Sequence, residues 1–438
     1  MSGTELAPWL TQSKWPTVPI RYVARLGTGH TPSRQRPEYW EACTFPWVTL
    51  ADVWQLRDGT CDTILETKEK ISRLGLMNSA AVLHPSGTVI LSRTASVGFS
   101  AIMGRDMATS QDFATWTCGP NIEPRYLLHA LRAMAPDLRR VAAGSTHKTI
   151  YMPDIEQLRI PLPSIEVQRR IVEFLDVETK KIDQLTTLRR RQIDLIKERY
   201  LTEISNCVIP GIFADGERSD SWPWLPRDLE TIRLGYLSRI QGGVTVDASR
   251  RKSESDVEVP YLRVANVQGE EIDLSEIRTL VIPKILADRS ILRKGDVVMT
   301  EANGNPDNLG RGAVWDGSIS GMVHQNHIFS IRTNGNKLLP EYLSFLLASV
   351  HGRRYFRFTS NQVGIATTSS NKVLSMPIPV LGIADQLKIV KVCASARRAS
   401  DRAVRSLRSQ LALLLERRQA LITAAITGRV DVGVSKGR

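Results

Sequence analysis

The stretch PWVTLADV at residues 46–53 returns as PYLRVANV at residues 260–267, 214 positions later. The stretch RLGTG at residues 25–29 returns with the same offset as RIQGG at residues 239–243. Repeats of about 20 to 50 residues are typical of solenoids, whereas this offset is about half of the chain. The sequence therefore predicts two copies of one domain.

A long amphipathic helix is predicted to close each copy. Residues 164–206 and 384–427 contain neither Gly nor Pro. Their apolar side chains recur mostly three, four or seven positions apart, as on one face of a helix. The two stripes consist of Ile171, Leu175, Ile182, Leu185, Ile193, Ile196 and Tyr200, and of Leu407, Leu411, Leu414, Leu421 and Ala425, with Arg418 as the one polar member of the second seam. Helices of about 43 residues would be about 64 Å long, so we expect them to pack on each other as a coiled coil.

The segments before each helix predict mixed α/β domains. Residues 86–92 and 294–300 each have a turn that leads into a buried strand, and Pro124 and Pro340 stand where Pro commonly begins a helix. The predicted fold class is α+β, with two mixed α/β domains separated by two long helices that pack as an antiparallel coiled coil, and an internal pseudo-two-fold repeat. The predicted segments are 1–163 for the first domain, 164–208 for the first helix, 209–383 for the second domain and 384–438 for the second helix.

The composition indicates a globular protein with a polyanionic partner. Hydrophobic residues make up 42% and charged residues 24% of 438 residues, and no run of about 18 apolar residues is present. The N-terminus lacks a signal peptide pattern, and five scattered cysteines favour a reducing, cytoplasmic compartment. A net charge of +13 favours nucleic acid as a partner, although a basic protein without such a partner is the alternative.

Several kinds of chemistry lack their motifs. No phosphate-binding loop of the form GxxxxGK[ST] and no GxGxxG after a strand occurs. Residues 305–308 (NPDN) lack the second proline and the aromatic of an amino-methyltransferase loop and are interpreted as a turn. His324 and His327 are placed on one predicted strand, where their rings would face opposite sides, and Asp62 is interpreted as an exposed loop charge. We therefore predict no catalytic residue and no metal site.

Motifs around the long helices resemble a known family. GSTHKTI at residues 144–150 and IPLP at 160–163 precede the first helix, Gln168 opens it and recurs as Gln386, and the second helix closes with ERRQALITAAITGRVD at 416–431. Over essentially the whole chain, these strings are similar to the specificity subunit of Type I restriction-modification systems.

The resemblance implies a division of labour. Each globular domain would be a target recognition domain for double-stranded DNA, and each long helix a spacer that docks catalytic partners. Two methyltransferase (modification) subunits would methylate adenine N6 with S-adenosylmethionine, and two restriction subunits would translocate and cut unmethylated DNA with ATP and Mg²⁺. This non-catalytic chain would carry none of these cofactors. A complex with methyltransferase subunits alone is equally compatible with the sequence.

The candidate site residues combine this resemblance with side-chain chemistry. Base edges are contacted mainly by Arg, Lys, Asn and Gln, and phosphates by basic clusters. The candidate DNA-binding residues are Arg34, Gln35, Arg36, Arg93, Thr94, His147, Lys148, Arg250, Arg251, Lys252, Asn303, Asn305, Arg311, Asn361 and Gln362. The candidate partner-binding residues are Gln168, Ile171, Leu175, Gln386, Ile389, Leu414 and Leu421. For each DNA candidate, a solvated loop residue is the alternative.

The repeat also predicts the form of the target. Antiparallel helices would hold the two domains apart on one DNA face and set the unread gap between two half-sites. Because the copies differ in sequence, the half-sites are expected to differ, which gives an asymmetric bipartite target. The alternative is a scaffold that bridges protein partners through its coiled coil without DNA, which the basic charge disfavours.

Overall fold

The computed structural model describes residues 8–142, 148–245, 253–361 and 365–432. The chain divides into two compact units, unit 1 with Met1–Arg190 and Arg408–Arg438, and unit 2 with Arg191–Leu407. Each unit contains a globular domain and part of both long helices. No helix within the described ranges has the length and apolar run needed to cross a membrane.

In its described residues, unit 1 has ten strands and three short or medium helices before the first long helix. The strands are β1 Thr17–Pro19, β2 Ala24–Thr28, β3 Phe45–Val48, β4 Thr63–Ile64, β5 Glu69–Ile71, β6 Val89–Ser92, β7 Ser100–Met103, β8 Ala108–Thr109, β9 Phe113–Cys118 and β10 Arg159–Pro161. The helices are α1 Arg73–Met77, α2 Pro124–Val141, α3 Met152–Glu156 and the long α4 Ile165–Val208, and 3-10 turns lie at Pro8–Gln12, Ile20–Tyr22, Pro37–Trp40 and Leu50–Leu56. The strand orders are β2-β9-β6-β7-β4, β5-β3-β8 and β1-β10.

Unit 2 repeats this plan with local differences. Its strands are β11 Thr231–Arg233, β12 Ser238–Gly242, β13 Asp256–Leu262, β14 Val267–Gln268, β15 Glu271–Ile272, β16 Arg278–Pro283, β17 Val297–Thr300, β18 Ala302–Asn303, β19 Gly312–Val314, β20 Val323–His324, β21 Ile328–Thr333, β22 Ala366–Thr367 and β23 Pro377–Pro379. Its helices are α5 Lys284–Ser290, α6 Pro340–Ala348, α7 Val350–Thr359, α8 Ser370–Leu374 and the long α9 Ile383–Ile426, and 3-10 turns lie at Leu234–Tyr236, Val264–Asn266 and Pro306–Asn308. The strand orders are β12-β21-β17-β19, β16-β13-β20, β11-β23, β14-β15 and β18-β22.

The predicted duplication is confirmed by strand register. The antiparallel pair β1–β10 aligns Thr17 with Pro161, and its counterpart β11–β23 aligns Thr231 with Pro379. The five-residue pair β2–β9 likewise has its counterpart in β12–β21. The same connectivity is therefore built twice from different residues.

The two long helices are also confirmed, and within each unit they run antiparallel. In unit 1 the beginning of α4 shares a buried core with the end of α9, through Ile171 and Ile422 among others. In unit 2 the end of α4 shares a core with the beginning of α9, through Val208 and Cys393. The predicted stripe is wrong at Leu185, which is 44% exposed, whereas Thr186 is 7% exposed.

Each long helix is fixed to its own domain by a buried glutamine at its beginning. The Gln168 side chain accepts from the backbone N–H of Glu123 at 2.9 Å and donates to the carbonyls of Asn121 and Pro163, both at 3.0 Å. The Gln386 side chain makes the corresponding three bonds in unit 2, with the N–H of Leu339 and the carbonyls of Lys337 and Leu381, all at 2.9 Å. Each glutamine thereby satisfies backbone groups that would otherwise be buried without partners.

A buried tyrosine joins each domain to the end of a long helix. The Tyr126 hydroxyl donates to the carbonyl of Ile426 at 3.4 Å and to that of Pro161 at 2.9 Å. The Tyr342 hydroxyl donates to the carbonyl of Val208 at 3.0 Å. Because the last carbonyls of a helix lack partners within the helix, these hydroxyls stabilise both C-terminal ends.

The predicted strand that joins His324 to His327 is wrong. His324 ends β20 and is buried, with its Nδ1 2.9 Å from the carbonyl oxygen of Ile328. A turn follows, in which the N–H of Ile328 donates to the carbonyl of Gln325 at 2.9 Å. The turn breaks the alternation of a strand and leaves His327 exposed.

Candidate nucleic-acid interface

Three predicted clusters of unit 1 converge on the turn between β8 and β9. The Thr31 hydroxyl donates to Oε1 of Gln111 at 2.7 Å, and Nε of Arg93 donates to the carbonyl of Gln111 at 2.9 Å. The N–H of Ala95 donates to the carbonyl of Lys148 at 2.8 Å. The loops around Thr31, Arg93 and Lys148 thus form one surface, although up to 117 positions separate them in sequence.

The first cluster presents its cations beside aromatic rings. The Arg34 guanidinium lies 3.8 Å from the ring centroid of Trp40 and forms an ion pair with Glu69 at 2.5 Å. Arg36 lies 5.7 Å from the ring centroid of Tyr39 and is exposed, as is Gln35. Stacking orients a guanidinium without neutralising it, but Arg34 is paired with Glu69 and Arg36 lies 4.0 Å from Glu38. A phosphate contact by either arginine would compete with these carboxylates.

The Arg93 side chain makes two hydrogen bonds within the chain, and its contact with DNA stays a prediction. Its guanidinium donates to the carbonyls of Gln111 and Ile150, at 2.9 and 3.4 Å, and therefore fixes the backbone of the surface. Thr94 forms an isolated bridge with Thr149, and Lys148 is exposed. His147 lies outside the described residues.

Three predicted asparagines of unit 2 lie on one small antiparallel sheet or its turn. Asn303 pairs with Ala366 in β18–β22, and its side chain accepts from the N–H of Asn305 at 3.0 Å. Asn361 exchanges two backbone hydrogen bonds with Thr367, both at 3.0 Å. The backbone of these three asparagines therefore lies in one small region of unit 2, and their role in DNA binding stays a prediction.

Of the remaining candidates of unit 2, only Arg311 lies within the described residues. Arg311 is half-buried, and its carbonyl accepts from the N–H of Thr300 at 2.9 Å. Burial, and then the nearby Arg353, lower the pKa of its guanidinium below the ordinary value. The predicted residues Arg250, Arg251, Lys252 and Gln362 lie outside the described residues.

Sequence reasoning missed the turn itself. Gln111 and its structural counterpart Asn326 stand at the same position, two residues after the end of β8 and of β20 respectively. Gln111 is exposed and Asn326 is half-buried. The repeat could have indicated the pair, because SQDF at residues 110–113 and QNHI at 325–328 each precede a buried strand, 215 positions apart.

Comparison with known proteins points to one family. The family model for the Type I restriction modification DNA specificity domain matches residues 12–195. The StySPI specificity subunit of Salmonella potsdam is 21% identical over 434 residues, which is 95% of this chain and 89% of that protein. The chain is therefore similar to Type I restriction-modification specificity subunits along almost its whole length, and residues 12–195 match the DNA specificity domain of that family.

Further relatives agree with this assignment. The EcoKI specificity subunit of Escherichia coli K12 is 24% identical over 66% of this chain, but the matched part spans only 61% of that protein. A chain from a structure that concerns complex assembly and conformational transition of the type I R-M system has a TM-score of 0.67 at 18% identity, and covers 95% of this chain and 98% of that one. At this identity the structural likeness supports the fold.

The helix residues predicted to dock partners of the specificity subunit are mostly internal. Gln168, Ile171, Leu175 and Gln386 are buried, and Ile389, Leu414 and Leu421 are half-buried. A docked protein could reach the buried four only after a rearrangement. The large apolar side chains that α4 and α9 expose instead are Val177, Leu185, Leu188, Leu195, Leu387, Val392, Leu413 and Leu415.

A cluster of charges joins α2 to α4 in unit 1. Ligand atoms of Asp62, His129 and Asp176 lie within 4.8 Å of one another, a spacing compatible with a cation. The carboxylate oxygens, however, are held by guanidinium groups, with Arg125 to Asp176 at 2.6 Å and Arg132 to Asp62 at 2.5 Å. The arrangement is an ion-pair network.

The network also corrects the sequence interpretation of Asp62, because this residue is half-buried between two arginines. Burial raises the pKa of its carboxyl, but Arg132, His129 and Arg125 together outweigh burial and hold the pKa below its ordinary value. Burial lowers the pKa of His129 to about 3, so its ring is neutral at physiological pH. The cluster stabilises the domain on its helix and offers no exposed nucleophile.

Proposed function

We propose that this specificity subunit reads an asymmetric bipartite target in double-stranded DNA, with one half-site for each globular domain. The observation that carries the proposal is the surface around the β8–β9 turn and its counterpart around the β20–β21 turn. Both follow one backbone plan, but they carry different polar side chains. Two globular domains that present different side chains are suited to two different half-sites.

The chemistry of both surfaces suits DNA. Arginines beside aromatic rings in unit 1 and clustered asparagines in unit 2 are the side-chain types that contact phosphates and base edges. The net charge of +13 supports affinity through the release of counterions. Phosphate contacts would supply most of the affinity and base contacts the specificity.

The catalytic steps are assigned to other subunits. We propose that methyltransferase subunits, and in a complete system restriction subunits, dock on the exposed apolar side chains of α4 and α9. S-adenosylmethionine, ATP and Mg²⁺ would be bound by those partners. This chain would act as a non-catalytic component that places their active sites on DNA.

Single-molecule sequencing of genomic DNA tests the proposal. The chain is expressed with its methyltransferase partner in cells that lack other adenine methylation, and N6-methyladenine is mapped. The expected pattern is one motif of two unlike half-sites with a fixed unread gap. Methylation of one uninterrupted motif, or methylation by this chain alone, would contradict the proposal.

A length variant sharpens the test. Insertion of one heptad into both α4 and α9 is expected to lengthen the gap and leave both half-sites unchanged, because the helices would set the spacing. The control carries synonymous codons at the same positions. Altered half-sites with an unchanged gap would show that the helices do not measure the target.

A further inference from the structure

The turn that follows β8 is held by the same backbone hydrogen bonds as the turn that follows β20. The N–H of Ser110 donates to the carbonyl of Val48 at 2.9 Å, and that of Gln325 donates to the carbonyl of Leu262 at 2.9 Å. Three further backbone N–H to carbonyl bonds are present in both units. In unit 1 they run from Phe113 to Ser110, from Arg93 to Asp112 and from His30 to Thr109. Their counterparts in unit 2 run from Ile328 to Gln325, from Glu301 to His327 and from Val244 to His324. These four pairs of bonds duplicate most of the backbone frame of the turn. The bond from the N–H of Asn326 to the carbonyl of Val244, at 3.0 Å, has no counterpart among the described residues of unit 1.

A glycine in each copy allows a close backbone approach to the turn. A Cβ on Gly29 would lie 1.9 Å from the carbonyl oxygen of Thr109, and a Cβ on Gly243 would lie 2.0 Å from that of Gln325. Real Cβ atoms do not approach so closely, so both positions require glycine. The turn is consequently fixed from two sides, by strand hydrogen bonds and by this contact.

The side chains on the two frames are different. Unit 1 carries Ser-Gln-Asp at residues 110–112, whereas unit 2 carries Gln-Asn-His at 325–327. Both middle residues have amide side chains. A fixed backbone turn presents hydrogen-bond donors and acceptors at low entropic cost. Different polar side chains on the same turn are therefore expected where two domains recognise different base sequences.

The amide of Gln111 is further oriented by its neighbour. Its Oε1 accepts from the Thr31 hydroxyl at 2.7 Å, which fixes the plane of the amide at the exposed end of the turn. An amide in a fixed plane can pair in bidentate fashion with adenine N6 and N7 in the major groove. We propose that Gln111 and Asn326 are specificity-determining residues that each contact one A·T pair, one in each half-site. This inference rests on the function proposed above and names the residues that would perform the reading.

The test uses the complete complex of this chain with its methyltransferase partner. The wild-type motif is first obtained by sequencing, and affinities are then measured for duplexes that carry each of the four base pairs at each position. Gln111→Ala is expected to reduce discrimination about 5- to 150-fold at one A·T position of one half-site, as the loss of one bidentate contact predicts. Asn326→Ala is expected to do the same in the other half-site. Gln184→Ala, an exposed amide on α4, is the control and should leave all positions unchanged.

The outcomes separate the inference from the function. If the wild-type complex has a bipartite motif but both variants discriminate normally at every position, the two residues do not read bases. If a variant with the wild-type melting temperature loses affinity for all duplexes equally, its turn contacts the backbone of DNA, and the inference is equally overturned. If the wild-type complex has no bipartite motif, the proposed function itself fails.

Discussion

The two globular domains keep one backbone plan but differ in the groups that their interiors and surfaces carry. Gln168 and Gln386 make the same three hydrogen bonds. The contrast appears at Arg93, whose place in the frame is taken by Glu301 in unit 2. Backbone geometry is thus shared between the two domains, whereas charge is not, as the proposed recognition of two unlike half-sites requires.

A second contrast lies in the interior. α2 carries His129 and Arg132 where the corresponding helix α6 has Phe345 and Ala348. In unit 1 these side chains surround Asp62. Phe345 instead contributes to an apolar core. Unit 1 is therefore expected to depend on pH in a way that unit 2 does not share at this position.

The largest effect is expected from the glycine that approaches the turn. Gly243→Ala should destabilise the protein by about 3 kcal/mol, because the added Cβ meets backbone that cannot move without breaking the frame. A Cβ on the neighbouring Gly242 has nothing within 4 Å, so Gly242→Ala should stay within about 1 kcal/mol of wild type. Urea unfolding followed by circular dichroism measures both, and equal stabilities of the two variants would show that the close approach is not required.

Removal of either buried glutamine side chain should lower the free energy of unfolding by a similar amount. Gln168→Ala and Gln386→Ala each remove three hydrogen bonds and leave a backbone N–H without its acceptor, at a cost of about 2 to 3 kcal/mol. The two losses in unfolding free energy should agree within about 1 kcal/mol if the frame is truly duplicated. A large loss in one copy alone would mean that the second junction tolerates water in place of the side chain.

Much of this fold could be predicted from the sequence, because a repeat and two segments without Gly or Pro are strong signals. The predicted apolar stripe of α4 is wrong at Leu185 because the apolar character of a side chain does not by itself decide its burial. Thr179, for example, is buried with its hydroxyl donating to its own helix, to the carbonyl of Leu175 at 2.6 Å. A threonine that satisfies its hydroxyl in this way can replace an apolar residue in a helix contact.

The candidate site was less predictable for a different reason. Composition identified exposed polar loops, but their convergence depends on contacts between distant residues, such as Thr31 with Gln111 and Ala95 with Lys148. Nor could the sequence show that the Arg93 guanidinium is directed at two carbonyls of its own chain. Such contacts exist only after the sheets have formed.

The interior contrast predicts a difference in pH dependence. His129 has a pKa of about 3 in the folded chain against an ordinary 6.5, so the unfolded state takes up a proton that the folded state refuses between these values. Stability should therefore fall as pH decreases below 6.5, by about 2 kcal/mol at pH 5 from this residue alone. His129→Phe, which copies the residue of unit 2, should remove that part of the slope between pH 7.5 and 5.

Other buried histidines do not disturb this comparison. His351 also has a lowered pKa, about 4 because of burial, but it is present in both proteins and cancels in the difference. The measurement is the unfolding free energy in urea at each pH. Parallel profiles for wild type and His129→Phe would show that the ring is protonated in the folded state.

The smallest effect is expected at Arg93 and Glu301, two residues of opposite charge whose backbone N–H groups donate to the β8–β9 and β20–β21 turns. Arg93→Ala should cost about 1 to 2 kcal/mol, because its guanidinium donates to the carbonyl of Gln111 in the β8–β9 turn and to that of Ile150. Burial raises the pKa of Glu301, its counterpart, above the ordinary value, which shows that a charged carboxylate is disfavoured there. Glu301→Ala should therefore cost less than Arg93→Ala or should stabilise the protein, and urea unfolding of both variants at pH 7 measures the difference. If Glu301→Ala proved the more destabilising change, the Glu301 side chain would stabilise the β20–β21 turn as Arg93 stabilises the β8–β9 turn. The two domains would then share a charged side chain that supports the turn, in addition to the backbone hydrogen bonds.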